Sequence, residues 1–482
     1  MKKKILITTP IYYVNDKPHW GHAYTTVAAD VLTRFFRIQK NEVFFLTGTD
    51  EHGAKVAESA EKLGKNPKAL CDENSEAYKI AWQKLGIKYD HFIRTTDKIH
   101  EEKVADFLKE LKDKNAVYEK EYEGLYCVGC EKFLTDKDLI NGLCPDHKTE
   151  PKKIAEKNYF FKLIDYLGKI EKLVSEDKLL IQPKTAKKEV LGLFKQRLED
   201  FSISRQKEKV KWGIDLPFGE NQTVYVWVDA LLNYLTGDGT KKFDEYWKKG
   251  EVIHLLGKDI LKFHAIFWPA MLLAAEKNIP KREFIHGFFT IDGQKMSKTL
   301  GNVIDSNEIV DEFGVDATRY LLLSQFPFGQ DGDVKKEKFV EKYNSDLANG
   351  LGNLVARVLT LTLKNSIQYL GKTQDKEVLK IIKETQENYK KNMEDFRLYE
   401  ALEEIWNLIK WCDEYIEKNK PWQIIDKKKL ETVLSNLLYC ISEIADLIAP
   451  FLPETSEKIK SQIKGSLTSK TGKPEILFPR LQ

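Results

Sequence analysis

"TTPIYYVNDKPHWGHAYTTVAAD", residues 8–30, decides how the rest of the chain is read. Its opening is β-branched and aromatic, the composition of a strand. Beyond His22 the apolar residues fall at helical spacing. In an open parallel sheet, ligands gather outside the carboxyl ends of the strands, where a following helix begins. The start of that helix presents unpaired amides and the positive end of its dipole, a ready site for anions. His19 and His22 are three positions apart and share one face. Gly21 between them removes a side chain, so a flat base or a phosphate can approach the backbone. Imidazoles placed there can donate to phosphate oxygens as charge moves during displacement at phosphorus.

Outward from this stretch, the runs at 4–9 and 43–47 ("VFFLT") read as strands with helical sequence between and after them, a βαβ pattern. Residues 1–116 thus form the first part of an α/β domain. From 117 to 222 the texture is turn-rich and then lysine-rich, which reads as an insertion. The parallel-sheet signature returns at "TVYVWVDALLNY" (223–234), "EVIHLLGKDI" (251–260) and "KREFIHGFFTI" (281–291), so 223–335 completes the domain. Residues 336–482 carry helical periodicity throughout, broken at Gly371, Pro421 and Pro450, and read as an all-helical bundle.

The 482 residues are 42% apolar and 31% charged, with a net charge of only +3, so a polyanion partner needs a local patch rather than a global field. "MKKKILITTPIYY" begins like a secretory signal, but its apolar run is too short and reads as a strand. The sequence offers no membrane span. Cys127, Cys130 and Cys144 cluster, while Cys71, Cys412 and Cys440 are scattered, the usage of a reducing, cytoplasmic compartment. With His147 the cluster spells C-x2-C-x13-C-x2-H within about residues 125–150. Four such ligands suit one tetrahedral, structural Zn²⁺ and leave no open position. Late in the α/β region, "GQKMSKTLGN" (293–302) places Lys295 and Lys298 in a glycine-flanked loop, suited to closing over a polyphosphate leaving group.

H-x-G-H near the N-terminus and KMSKT late in the α/β region resemble the two signatures of class I aminoacyl-tRNA synthetases. "FFLTGTDEHG", "YEGLYCVGCEKF", "YVWVDALLNY" and "GKDILKFHAIFWPAML" extend the resemblance to the methionyl-tRNA synthetases of bacteria, from residue 8 to 303, and the C-terminal bundle matches as well. Trp20 stands where that family usually has isoleucine or leucine, and Thr299 where it usually has serine. The resemblance implies a Rossmann-type catalytic domain split by a zinc-knuckle insertion, then a helical anticodon-binding bundle. It implies activation of methionine by ATP to methionyl-adenylate and pyrophosphate. Transfer to the 2′-hydroxyl of the terminal adenosine of methionine tRNA, elongator and initiator, then follows.

Carried over by motif, His19 and His22 stabilise the triphosphate, and Lys298 with Lys295 draws off pyrophosphate charge. Gly21 and Gly257 let the nucleotide approach, and Asp259 accepts from ribose hydroxyls. The methionine pocket maps onto Ile11, Tyr13, Asp50, Trp227, Ala230, Tyr234, Ile260 and His264. Tyr13 and Trp227 supply aromatic walls, Asp50 pairs with the ammonium, and the Ile11 amide and Tyr234 hydroxyl donate to sulfur. Asn353, Arg357 and Trp422 map onto anticodon contacts. Mg²⁺ is expected with ATP rather than in a protein cage.

A synthetase for isoleucine, valine or leucine would need a far larger insertion for an editing domain. A cysteinyl enzyme would need an open zinc position. A small-molecule adenylyltransferase would not need the bundle, and a silent tRNA-binding protein would not need the signature residues. The chain ends at "KPEILFPRLQ" without the OB-fold domain that many relatives carry. The expectation is therefore a monomer, with a separate tRNA-binding subunit as the alternative.

Overall fold

The computed structural model describes residues 2–129, 132–134, 138–145, 148–291, 293–296, 302–367, 371–468 and 473–482. The chain packs as two compact units. The first holds Met1–Pro18, Lys40–Gln83 and Lys88–His286; the second holds His19–Gln39, Lys84–Ile87 and Gly287–Gln482. As expected, the chain runs from strand β1 (Lys4–Tyr13) into helix α1 (Trp20–Ile38) and back in strand β2 (Glu42–Asp50).

In the first unit, β1 and β2 join β3 (His91–Arg94), β4 (Leu180–Gln182), β5 (Glu251–Gly257) and β6 (Arg282–His286). The order is β3-β2-β1-β5-β6-β4, and every described pairing is parallel. A parallel sheet covered on both faces requires nearly continuous apolar strands. Ile5, Leu6 and Ile7, Val43 to Leu46, and Val252 to Leu256 meet that requirement and are buried. The register of β1 against β2 shifts between Thr8 and Ile11. Pro10 lies in this interval and has no N–H to give the ladder, so the strand bulges there.

Two stretches differ from the sequence reading. "TVYVWVDALLNY" is not a strand of the central sheet. Gln222–Val224 pairs antiparallel with Ser204–Gln206, and Val226–Thr236 is a helix. A helix buried on nearly every side is apolar all round, so over so short a run it reads like a buried strand. The region 117–222 forms an antiparallel sheet of its own, yet β4, from within it, pairs with β6 at the edge of the central sheet. Helices of this unit used below are α2 (Lys98–Asp113), α3 (Val226–Thr236), α4 (Lys241–Lys249) and α5 (Trp268–Ala274). A π-helical turn, Phe263–Phe267, leads into α5.

The second unit contains α1, a small sheet of β7 (Phe289–Ile291), β8 (Gln294–Lys295) and β9 (Gly332–Val334), helix α6 (Val315–Leu323), and the expected helical C-terminal domain. Its helices are α7 (Asn353–Lys364), α8 (Lys376–Glu394), α9 (Leu398–Asn419), α10 (Lys427–Ile448) and α11 (Pro453–Thr468). The Asp375 and Asp426 side chains cap α8 and α10 by accepting backbone N–H groups. Lys420 takes a left-handed conformation at the end of α9, and Pro421 opens the turn beyond it.

One buried cation binds three parts of this unit. Arg319 of α6 is fully buried and donates to the Asp30 carboxylate of α1 at 2.6 Å. It also donates to the carbonyls of Leu85 (3.2 Å), Pro450 (3.1 Å) and Phe451 (2.8 Å). Arg34 also donates to Asp30, at 2.7 Å, so losing Arg319 removes one of two guanidinium partners from a buried carboxylate and the donor of three carbonyls. Arg319→Met should therefore cost about 3–5 kcal/mol in urea unfolding. Adding Asp30→Leu should recover little of this loss, because three carbonyls remain without their donor and Arg34 loses its carboxylate partner.

Candidate active site and anticodon-reading surface

The start of α1 is closed by its own histidines. His19 is the N-cap, and its Nδ1 accepts from the Gly21 N–H at 3.0 Å. The Nδ1 of His22 accepts from the His19 N–H at 3.4 Å, and the two rings stack with centroids 3.7 Å apart. With each Nδ1 an acceptor, a neutral ring carries its proton on Nε2. Burial, and secondly the neighbouring His19, hold the His22 pKa well below its usual 6.5. His22 therefore acts at neutral pH as a hydrogen-bond donor rather than as a cation.

A Cβ on Gly21 would lie 2.9 Å from His19 Cε1 and 3.3 Å from the methyl of Met296. Met296 follows β8, whose backbone includes Lys295, so the H-x-G-H stretch and the start of the KMSKT stretch meet here. Lys298 and Thr299 lie outside the described residues. Trp20 is buried and stacks on Phe339 at 5.2 Å, which accounts for the larger residue at this position.

In the first unit, the expected amino-acid pocket gathers at the carboxyl ends of β1, β2 and β5. Past the bulge, Ile11 pairs with Gly48, and Tyr13 pairs with Asp50, which is buried. Tyr13 meets Trp227 edge to face at 6.4 Å, and Trp227 stacks on Phe263 at 4.0 Å. Ala230 and Tyr234 follow Trp227 on α3 and are buried. His264 lies in the π-helical turn. Its Nδ1 is 3.0 Å from the Ile260 carbonyl, and its Nε2 is 2.9 Å from the Tyr234 hydroxyl.

A carbonyl only accepts, so Nδ1 bears the proton, and burial holds the ring neutral by lowering its pKa to about 4. Nε2 therefore accepts from Tyr234. Donation from Tyr234 to a sulfur, as expected from the sequence, requires the hydroxyl to turn away from His264 about its C–O bond. Asp259 is exposed just beyond β5, and a Cβ on Gly257 would lie 2.6 Å from its Oδ1. A side chain at 257 would push that carboxylate aside.

A buried cluster that the sequence did not reveal locks α3 to the segment after β2. Asp229, two residues beyond Trp227, lies 2.7 Å from His52 Nδ1 and 2.7 Å from His100 Nε2 of α2. The other His100 nitrogen meets the Thr236 hydroxyl at 2.8 Å. Burial pushes the Asp229 carboxyl up, but the His52 charge and the hydrogen bonds from His100 and His52 outweigh it, leaving a pKa of about 2. For His52, burial is likewise outweighed by Asp229, and the pKa is raised. Glu51 is clamped between Arg94, at 2.7 and 2.9 Å, and the hydroxyls of Thr49, Ser75 and Thr96. "TDEHG" carried the signal that this segment matters. The long-range partners of Glu51 and His52 have no local signature.

In the helical domain, Arg357 lies over the Trp422 ring at 5.0 Å and pairs with Glu417 at 2.7 Å. Trp422 is 48% exposed, and Asn353 is exposed one helical turn before Arg357. The three expected anticodon residues thus include one assembled pair and a neighbour at helical spacing. Among the expected zinc ligands, Cys127 and Cys144 are buried in one small cluster with Leu134. Cys130 and His147 lie outside the described residues.

The family model "tRNA synthetases class I (M)" matches residues 5–153 and 146–359, and "Anticodon-binding domain of tRNA ligase" matches 375–478. The methionine–tRNA ligase of Clostridium acetobutylicum is 42% identical over 100% of this chain and 78% of its own length. That of Thermotoga maritima is 40% identical over 95% of this chain and 74% of its own length. Among solved structures, Mycobacterium tuberculosis methionyl-tRNA synthetase in complex with methionyl-adenylate is similar with a TM-score of 0.91. It is 34% identical, and 100% of each chain is covered.

The Asp229 cluster predicts a pH signature. The depressed Asp229 pKa contributes stability that is full above the usual 3.8 and lost as pH falls through about 2. The raised His52 pKa contributes stability that is full below the usual 6.5 and lost as pH rises through its folded value. Asp229→Asn should therefore destabilise most between these limits. The gap between the urea midpoints of the two proteins should narrow as pH rises through the His52 range, where the hydrogen bonds to Asp229 remain, and close as pH falls through about 2.

Proposed function

The chain belongs to the methionyl-tRNA synthetase family, and from that premise we propose how its residues divide the work of methionine–tRNA ligation. That activity uses ATP and methionine and charges tRNA. The supporting observation for the catalytic assignment is the capped pair His19 and His22, with neutral His22 offering Nε2–H at a helix start. In the proposed reaction the methionine carboxylate attacks the α-phosphorus of ATP and pyrophosphate leaves. Hydrogen bonds from the two imidazoles follow the negative charge as it builds on the phosphate oxygens. Lys298, with Lys295, takes charge from the leaving pyrophosphate, and Mg²⁺ enters on the phosphates themselves.

Gly257 leaves room for the nucleotide, and Asp259 accepts from the ribose diol. Asp50 pairs with the substrate ammonium. Tyr13, Trp227, Ala230 and Ile260 line the slot for the thioether, with the Ile11 amide, Tyr234 and His264 at its polar end. Rejecting a substrate that differs by one methylene is worth only about 1–3 kcal/mol, so unpaired polar groups must add to the discrimination. The acyl group then passes to the 2′-hydroxyl of the terminal adenosine of elongator or initiator tRNA.

Trp422 and Arg357, with Asn353, are proposed to read the anticodon, the exposed ring stacking on a splayed base. Cys127 and Cys144, buried in one small cluster, fit half of a closed thiolate site for one structural Zn²⁺. Cys130 and His147 would complete it. No described helix is long and apolar enough to cross a membrane. We place the enzyme in the cytoplasm as a monomer, with a separate OB-fold tRNA-binding subunit the alternative.

Methionine should drive ATP–pyrophosphate exchange without tRNA, and Trp227→Ala should raise the methionine KM at least about tenfold. Exchange driven by isoleucine, or none at all, would sink the reading. Trp422→Ala should leave exchange intact and raise the tRNA KM about tenfold or more, since a stacked base is worth ~1–3 kcal/mol. Equal loss in both steps would count against a separate anticodon reader. Elemental analysis should find one zinc per chain, lost in Cys144→Ala.

A further inference from the structure

One row of the central sheet is polar where its neighbours are apolar. Thr8 of β1, His254 of β5 and Glu283 of β6 are register partners, flanked in the same row by Leu46 and Ile181. Partners in adjacent strands project from one face of a sheet. All three polar residues are fully buried. Thr8 Oγ1 meets His254 Nδ1 at 2.7 Å.

Beyond that bond the partners stop. Both carboxyl oxygens of Glu283, Nε2 of His254, and the indole nitrogens of Trp247 (α4) and Trp268 (α5) are buried without a hydrogen-bond partner among the described residues. The rings crowd together. Trp247 lies 5.8 Å from Trp268 and 6.2 Å from His254. Tyr234 lies 4.2 Å from His254 and 6.0 Å from Trp268.

An unsatisfied buried polar group costs about 1–3 kcal/mol, so several in one layer call for a shared partner. An internal water takes two to four polar partners, so these five atoms call for more than one water. Two indole N–H groups and a carboxylic O–H donate, the carboxyl C=O accepts, and the imidazole Nε2 accepts in the tautomer whose Nδ1–H donates to Thr8. Burial pushes Glu283 up to about 8, so at neutral pH the carboxyl keeps its proton and supplies the third donor.

We propose that Glu283 and His254 are positioning residues for the amino-acid pocket. Joined through ordered internal water, they seat the imidazole against which the Tyr234 ring rests, and so fix where its hydroxyl meets the substrate sulfur. With the ring held, the hydroxyl can turn from His264 to a thioether by rotation about one bond. A ring that drifts misses one partner or the other. The proposal rests on the reading of Tyr234 as a pocket residue.

The test is the ratio of kcat/KM for methionine over norleucine, which carries a methylene in place of sulfur, in ATP–pyrophosphate exchange. Tyr234→Phe should lower the ratio about tenfold. Glu283→Leu should lower it comparably through the methionine KM, with the ATP KM unchanged. Glu283→Gln, whose amide both donates and accepts, should stay within about twofold of the parent. His254→Phe keeps a ring against Tyr234 but removes both nitrogens. It should repeat the loss and stands in should Glu283→Leu fail to fold. A reduced ratio in Tyr234→Phe with parental ratios in Glu283→Leu and His254→Phe overturns the positioning role alone. A parental ratio in Tyr234→Phe overturns the pocket assignment and this inference with it. Equal loss of methionine and ATP affinity in Glu283→Leu, marking general damage, overturns the positioning role.

Discussion

The placement of β1 constrains the rest of the first unit. It is paired in parallel on both edges, with β2 on one side and β5 on the other. Strand order reverses there: β2 and β3 lie to one side, and the later strands lie to the other. Such a reversal opens a crevice outside the carboxyl ends of the strands, because the connections diverge on either side. Ile11 and Tyr13 at the end of β1, Asp50 at the end of β2, and Gly257 at the end of β5 all lie there. The bulge before Ile11 matters in this setting, since a shift of one position reverses the direction in which a strand side chain points.

The second unit has an analogous constraint in α1, which serves two purposes along its length. Its first turn carries the histidines, and Asp30 further along accepts from the buried Arg319 guanidinium. That guanidinium also binds carbonyls at Pro450 and Phe451, between α10 and α11. A planar five-donor group suits this position; a lysine ammonium could not reach four acceptors in fixed directions. The helix that begins at His19 and His22 is thereby anchored to the helical domain through one side chain.

What was legible in the sequence was local. The strand-to-helix turn at His19, the apolar runs of β1, β2 and β5, and the capped, proline-broken helices after 336 each announce themselves within about ten residues. What was not legible needed partners far away. "TVYVWVDALLNY" was misassigned because burial on all sides erases the period that separates strand from helix. Asp229 gave no local sign that His52 and His100, more than a hundred residues earlier, would meet it. Glu283 reads as an ordinary polar position in a strand near a sheet edge. Only the register, which places it beside His254 beneath covering helices, makes it a buried acid.

The charge states of these buried groups follow a division of labour. His264 and His254 have no close carboxylate among their assigned hydrogen-bond partners, and burial holds both imidazoles neutral. His52 has Asp229 at 2.7 Å, and its pKa moves the other way. The neutral rings meet Tyr234, which is assigned to the slot for a neutral thioether; the ionised cluster ties α3 to His52 and to α2. Reversing this arrangement would put a fixed charge beside a ligand atom that can answer only as a weak acceptor, with no hydration to offset the cost of burial. A slot for a thioether, as proposed, needs polar groups without net charge, and burial keeps His254 and His264 in that state. The carboxyl group proposed for the substrate side, Asp50, would answer the ammonium rather than the side chain.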